Sequence, residues 1–161
     1  MCSSILGPVY YSSYSAGVSH AQAAVATDAV TTAYHAVTRR AEIKKDETVV
    51  LFGLGGLGFN ALQIILAIGA RVIVSDVRQE RLEAAMKIGV PPEDIVPVNT
   101  SVQQFIEERQ LEIDTTIDFA GVSQTFSDAQ LIGTWYISGG ILADLDSSKS
   151  REDGMHRYSQ W

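Results

Sequence analysis

The chain has 161 residues, about one domain's worth, and its 46% hydrophobic and 19% charged residues exclude a disordered or fibrous protein. Twelve Lys and Arg against 19 Asp and Glu leave a net charge of −7, which argues against nucleic acid or an anionic membrane as a partner. The single cysteine, Cys2, excludes an internal disulfide and a cysteine zinc cluster and fits a reducing compartment.

Taken in chain order, residues 1–16 are rich in Ser and Tyr without helical period and predict a loose arm. Residues 20–38 are Ala-rich and predict a helix that ends near Arg39 and Arg40, where positive charge suits the C-terminal dipole. The run Thr-Val-Val-Leu-Phe at 48–52 predicts a strand buried on both faces. Residues 55–69 predict a helix closed by Gly69, residues 71–75 a second strand, and residues 79–88 a second helix of the strand–helix alternation. Residues 94–98 predict a brief third strand, 101–110 a helix, 113–119 a fourth strand and 124–132 a fourth helix.

This alternation predicts βαβ crossovers and hence an α/β domain with a doubly wound parallel sheet over residues 17–145. Residues 146–161 are polar and aperiodic and predict a disordered tail. The most apolar stretch, residues 61–74, carries Gln63 and Arg71 and falls short of the roughly 20 residues that span a bilayer. With no signal-like N-terminus, the expectation is a soluble, cytoplasmic protein.

The sharpest chemistry is Gly53-Leu54-Gly55-Gly56-Leu57-Gly58, a G-x-G-x-x-G pattern that leaves an apolar strand and opens a helix. Gly53 permits the tight turn, Gly55 lets a pyrophosphate approach the backbone, and Gly58 lets the helix pack against the sheet. Asp76, 18 residues after Gly58, ends the second predicted strand. A carboxylate there accepts hydrogen bonds from a ribose diol and repels a 2′-phosphate, which favours NAD over NADP. Arg78 and Arg81 follow closely and are candidates for contact with the adenosine end. Rival nucleotide chemistries lack their residues: no tyrosine has a lysine four positions on, and no Gly-Lys-Ser/Thr is present.

The segment Val-Ser-His-Ala-Gln-Ala-Ala-Val-Ala-Thr-Asp-Ala-Val-Thr-Thr-Ala-Tyr-His-Ala-Val at 18–37, followed by the glycine turn, resembles the zinc-type medium-chain alcohol dehydrogenases. The resemblance covers their cofactor-binding half, over about residues 17–132. It implies a Rossmann sheet, and it assigns Gly53, Gly55, Gly56, Leu57 and Gly58 to the pyrophosphate loop. It also assigns Asp76 and Arg81 to the adenosine ribose, Thr32 to the nicotinamide, and Phe119, Ala120 and Gly121 to a loop on the cofactor. Asp28 falls where the family places a zinc ligand; two more ligands would come from a domain outside the resemblance. His20, His35 and His156 are scattered and fit packing or surface roles. Where the family has its fifth strand, Gly139-Gly140-Ile-Leu-Ala-Asp144-Leu-Asp146 breaks into charge, and no sixth strand is found. The sheet is therefore expected to be incomplete at its C-terminal strands, without the usual dimer edge, although a homo-oligomer stays open.

The resemblance thus implies the NAD-binding half of an alcohol dehydrogenase, acting on an alcohol or aldehyde in its complete form. The expectation is a truncated form not active alone; the alternative is a non-catalytic NAD-binding module.

Overall fold

The computed structural model describes residues 17–132 and 134–137, the latter as backbone. The expectations for residues 1–16, for the 139–146 segment and for the tail at 146–161 lie outside the described residues. Four parallel strands form the sheet in the order β2-β1-β3-β4: β1 Thr48–Phe52, β2 Arg71–Ser75, β3 Thr115–Asp118 and β4 Thr134–Ile137. The helices are α1 His20–Val25, α2 Thr31–His35, α3 Gly56–Ile68, α4 Gln79–Lys87, α5 Val102–Arg109 and α6 Ser123–Ile132.

The alternation of β1 explains the layers. Successive side chains of a strand point to opposite faces. Val49 and Leu51 therefore enter one core with Ala33 and Val37 of the first helical segment, Leu62 and Ile65 of α3, and Leu82 of α4. Val50 and Phe52 enter the other core, with Val102, Phe105 and Ile106 of α5 and Phe126 of α6. Helices thus cover both faces of β1, which is why its run is continuously apolar and why all four residues from Val49 to Phe52 are buried.

Three expectations need correction. The first helix is continuous to Arg40, but α1 and α2 are each followed by a π-helical segment, Ala26–Val30 and Ala36–Arg40. Ser19 and Gln22 start it with a reciprocal capping box, Gln22 N–H to Ser19 Oγ at 3.2 Å and Ser19 N–H to Gln22 Oε1 at 2.8 Å. Within the first wide turn the Thr31 hydroxyl donates to the Ala26 carbonyl at 2.6 Å.

The third strand, expected at 94–98, shrinks to a single parallel bridge between Ile95 and Val74, after a 3₁₀ turn at Pro92–Asp94. Pro97 has no N–H to continue a ladder, and Pro91 and Pro92 shape the preceding turn. Asp94, 3% exposed, turns instead to Arg71, whose Nη2 and Nε reach Asp94 Oδ1 at 2.6 and 3.1 Å. That pair holds the bridge segment against the start of β2.

The last correction is at the C-terminal side, where β4 lies before the glycine pair, with Thr134 through Ile137 in register with Thr115 through Asp118. The bridge segment flanks β2 and β4 flanks β3, so the chain order reverses between β1 and β3. In an open α/β sheet the carboxyl ends of the strands at such a reversal form the ligand crevice.

Candidate functional site

The glycine turn leaves the C-terminal end of β1 at that reversal. Gly53 has φ +82°, a left-handed conformation, and a Cβ there would press on Ala120 N at 2.8 Å. Its N–H donates to the Ser75 carbonyl at 2.8 Å. A Cβ on Gly58 would be driven into the Gly53 carbonyl, so this glycine sets how closely α3 meets the strand. Gly55 and Gly56 are different: a Cβ on either meets nothing within 4 Å. Gly55 is the N-cap of α3 and offers no side chain to its first N–H groups. The helix end therefore presents uncapped donors and a positive dipole to open space, the arrangement that receives an anion.

Asp76 is tied directly to this turn. Its side chain is 4% exposed, and Leu54 N–H donates to Oδ2 at 2.6 Å. Arg78 encloses the rest: its backbone N–H reaches Oδ1 at 2.9 Å, Nε reaches Oδ1 at 3.1 Å and Nη2 reaches Oδ2 at 3.3 Å. Burial pushes the Asp76 carboxyl up, but the guanidinium of Arg78 and the two N–H donors outweigh it and hold the carboxyl below its ordinary value. Asp76 is thus ionised at neutral pH, and its stabilising contribution is lost only as pH falls through that lowered value. Arg81, expected beside the same ribose, lies exposed in the first turn of α4, and its backbone N–H donates to the Arg78 carbonyl at 3.0 Å. The cation on Asp76 is therefore Arg78.

The loop after β3 closes the turn from the other side. Phe119 N–H donates to the Phe52 carbonyl at 2.9 Å, and Ala120 sits against Gly53. Sequence reasoning missed what holds this loop. Asp118, 1% exposed, accepts N–H bonds from Ala120 at 2.7 Å and Gly121 at 3.0 Å on Oδ1, and the Thr125 hydroxyl at 2.7 Å on Oδ2. An acidic residue ending a strand just before Phe119-Ala120-Gly121 was the available signal.

A cleft of about 320 Å³ opens beside Asp76, lined also by Val77, Asn99, Ser101, Thr125 and Asp128. Two carboxylates line it, so it suits an uncharged group with hydroxyls and ring nitrogens better than a phosphate. The glycine turn, the Asp76 carboxylate, the loop 119–121 and the cleft all lie at the carboxyl ends of β1, β2 and β3.

Comparison with known proteins agrees with this geometry. Residues 56–132 match the family model described as zinc-binding dehydrogenase. An NAD-dependent alcohol dehydrogenase of Sulfurisphaera tokodaii is 38% identical over 117 residues, covering 68% of this chain and 32% of that protein. The S-(hydroxymethyl)glutathione dehydrogenase of Saccharomyces cerevisiae is 29% identical over 106 residues, covering 62% of this chain and 28% of its own length. Among solved structures, acetophenone reductase from Geotrichum candidum in complex with NAD superposes with a TM-score of 0.61 at 31% identity, over 76% of this chain and 34% of that one. Over its matched segment, the chain belongs to the zinc-type medium-chain alcohol dehydrogenase family. It spans about a third of the length of the curated relatives it matches.

The family's other positions can now be placed. Thr32 is half-buried on α2, and α2 and the Ala26–Val30 segment both pack against α3, the helix that the glycine turn opens. Asp28 lies in that segment and is exposed. A catalytic zinc needs three protein ligands, and among the described residues no three His, Cys, Asp or Glu side chains gather. The described residues therefore do not by themselves complete a zinc site. No described helix is long and apolar enough to cross a membrane.

Proposed function

We propose that this chain is the cofactor-binding half of an NAD-dependent alcohol dehydrogenase, and that alone it holds NAD without turning over an alcohol. The observation that carries the reading is the open cradle at Gly55 and Gly56, fixed to the Asp76 carboxylate by the Leu54 N–H. The pyrophosphate takes the uncapped N–H groups of Gly56, Leu57 and Gly58 at the start of α3. The adenosine ribose turns its diol to Asp76, and the adenine enters the adjoining cleft, where Asp76 and Asp128 repel phosphate.

This order runs the other half of the dinucleotide toward α2 and the loop 119–121, so Thr32, Phe119, Ala120 and Gly121 would border the nicotinamide side. Bound NAD would supply the hydride acceptor for the interconversion of an alcohol and an aldehyde. The protein's part is to hold that ring in one orientation. Asp76 favours NAD, since a 2′-phosphate would face an ionised carboxylate.

Calorimetric titration of the 161-residue chain with NADH and then NADPH tests this reading. Saturable one-to-one binding with NADH the tighter ligand is expected, and no alcohol oxidation on adding NAD and zinc. Absence of binding by either dinucleotide would overturn the reading. Zinc-dependent turnover by the chain would overturn its inactive part.

A further inference from the structure

Resting on the nucleotide reading, the geometry of the Asp76 carboxylate assigns a distinct role to Arg78. A carboxylate has about four lone-pair positions, and here all are taken: Leu54 N–H and Arg78 Nη2 on Oδ2, Arg78 N–H and Nε on Oδ1. Two of these donors are backbone groups, of the glycine turn and of the N-cap of α4, fixed by the fold. The other two come from a single side chain that is 44% exposed and carried on a flexible stem. A ribose diol must donate both hydroxyls to the same oxygens, and it can do so only where the guanidinium leaves.

We propose that Arg78 is the specificity-determining residue of the ribose subsite: its guanidinium covers Asp76 in the free protein, yields to the diol of NAD, and then stands beside the 2′ position as a cation. Two consequences are opposite in sign. Displacing Arg78 weakens NAD binding, because an ion pair must be broken first. For a ligand with a 2′-phosphate the same guanidinium is an attraction that offsets the repulsion by Asp76, since a planar fork matches a phosphate bidentately. The wild-type chain thus discriminates between the two dinucleotides less sharply than Asp76 alone would.

The test is calorimetry of NAD and NADP on the full chain, as wild type, Arg78→Ala and Arg78→Lys. Arg78→Ala is expected to bind NAD more tightly by up to about fivefold, the span of one exposed ion pair. It should bind NADP more weakly by a similar factor. Arg78→Lys keeps a charge without the fork, so it should retain more NADP affinity than Arg78→Ala. The backbone N–H of Arg78 remains in every variant, so the unfolding temperature should move little and reports that the turn is intact. Weaker NAD binding by a folded Arg78→Ala would mean the guanidinium grips the cofactor itself, and the proposal would be wrong. An unchanged NAD-to-NADP ratio would equally overturn it while leaving the nucleotide reading standing. Failure of the wild type to bind either dinucleotide overturns both.

Discussion

Gly58→Ala is expected to destabilise the domain by at least about 3 kcal/mol, at the upper end for an overpacked site. The added methyl meets the Gly53 carbonyl oxygen and carbon, which are backbone atoms and cannot rotate away. Either α3 backs off β1 or the turn opens. The first separates Leu62 and Ile65 of α3 from Val49 and Leu51 of β1, all fully buried. The second breaks the Gly53 N–H bond to Ser75 and moves Leu54 away from Asp76. Both routes disturb the glycine turn, so a folded remnant should also lose its nucleotide affinity. Chemical denaturation measures the first effect, and a midpoint close to wild type would show that the helix sits less tightly on the strand than described.

Asp118→Ala is expected to cost about 3 kcal/mol, a fall of roughly 10 °C in Tm for a chain of this size. The substitution removes the acceptor for three donors at once, the N–H groups of Ala120 and Gly121 and the Thr125 hydroxyl. Hydrogen bonds to a charged group contribute about 1.5–3 kcal/mol each. Ala120 and Gly121 are exposed, so water recovers part of that loss. Asp118→Asn keeps an acceptor and should lose less. Because Ala120 packs on Gly53, loosening the loop also loosens the turn. Thermal unfolding of the two variants separates these effects, and equal losses would mean that the charge, not the acceptor oxygen, is what matters.

The sequence revealed what periodicity can carry. Thr48–Phe52 and Arg71–Ser75 fall where their apolar runs lie, because strands covered on both faces leave an unbroken apolar signature. Gly53, Gly58 and Asp76 occupy the positions their spacing implied, since close packing and a tight turn admit only certain residues. The third strand misled because Asp-Ile-Val-Pro-Val has strand composition, while Pro97 denies it a ladder. β4 was missed although Thr-Trp-Tyr-Ile is rich in strand-forming residues.

Arg78 over Arg81 as the partner of Asp76 was not readable from composition. Two residues on, the chain folds back so that the Arg78 N–H and guanidinium reach the same carboxylate, a local turn effect with no periodic trace. Asp118 shows in the sequence only as an acidic residue at a strand end, since two of its three partners are backbone groups common to every residue type.

The central claim is that the turn at Gly55 is kept open for a pyrophosphate, and Gly55→Ala tests it most directly. Gly55 has φ −72° and free space around its Cβ position, so the fold itself has no need of a glycine there. Replacing glycine at such a site ordinarily leaves stability unchanged or raises it by about 0.4–1 kcal/mol. A bound pyrophosphate would collide with the new methyl. The measurement is NADH affinity by calorimetry for wild type and Gly55→Ala, with the unfolding midpoint of each. The account predicts an intact or higher midpoint together with NADH affinity reduced by about ten- to a hundredfold. Affinity equal to wild type in a stably folded Gly55→Ala would contradict it.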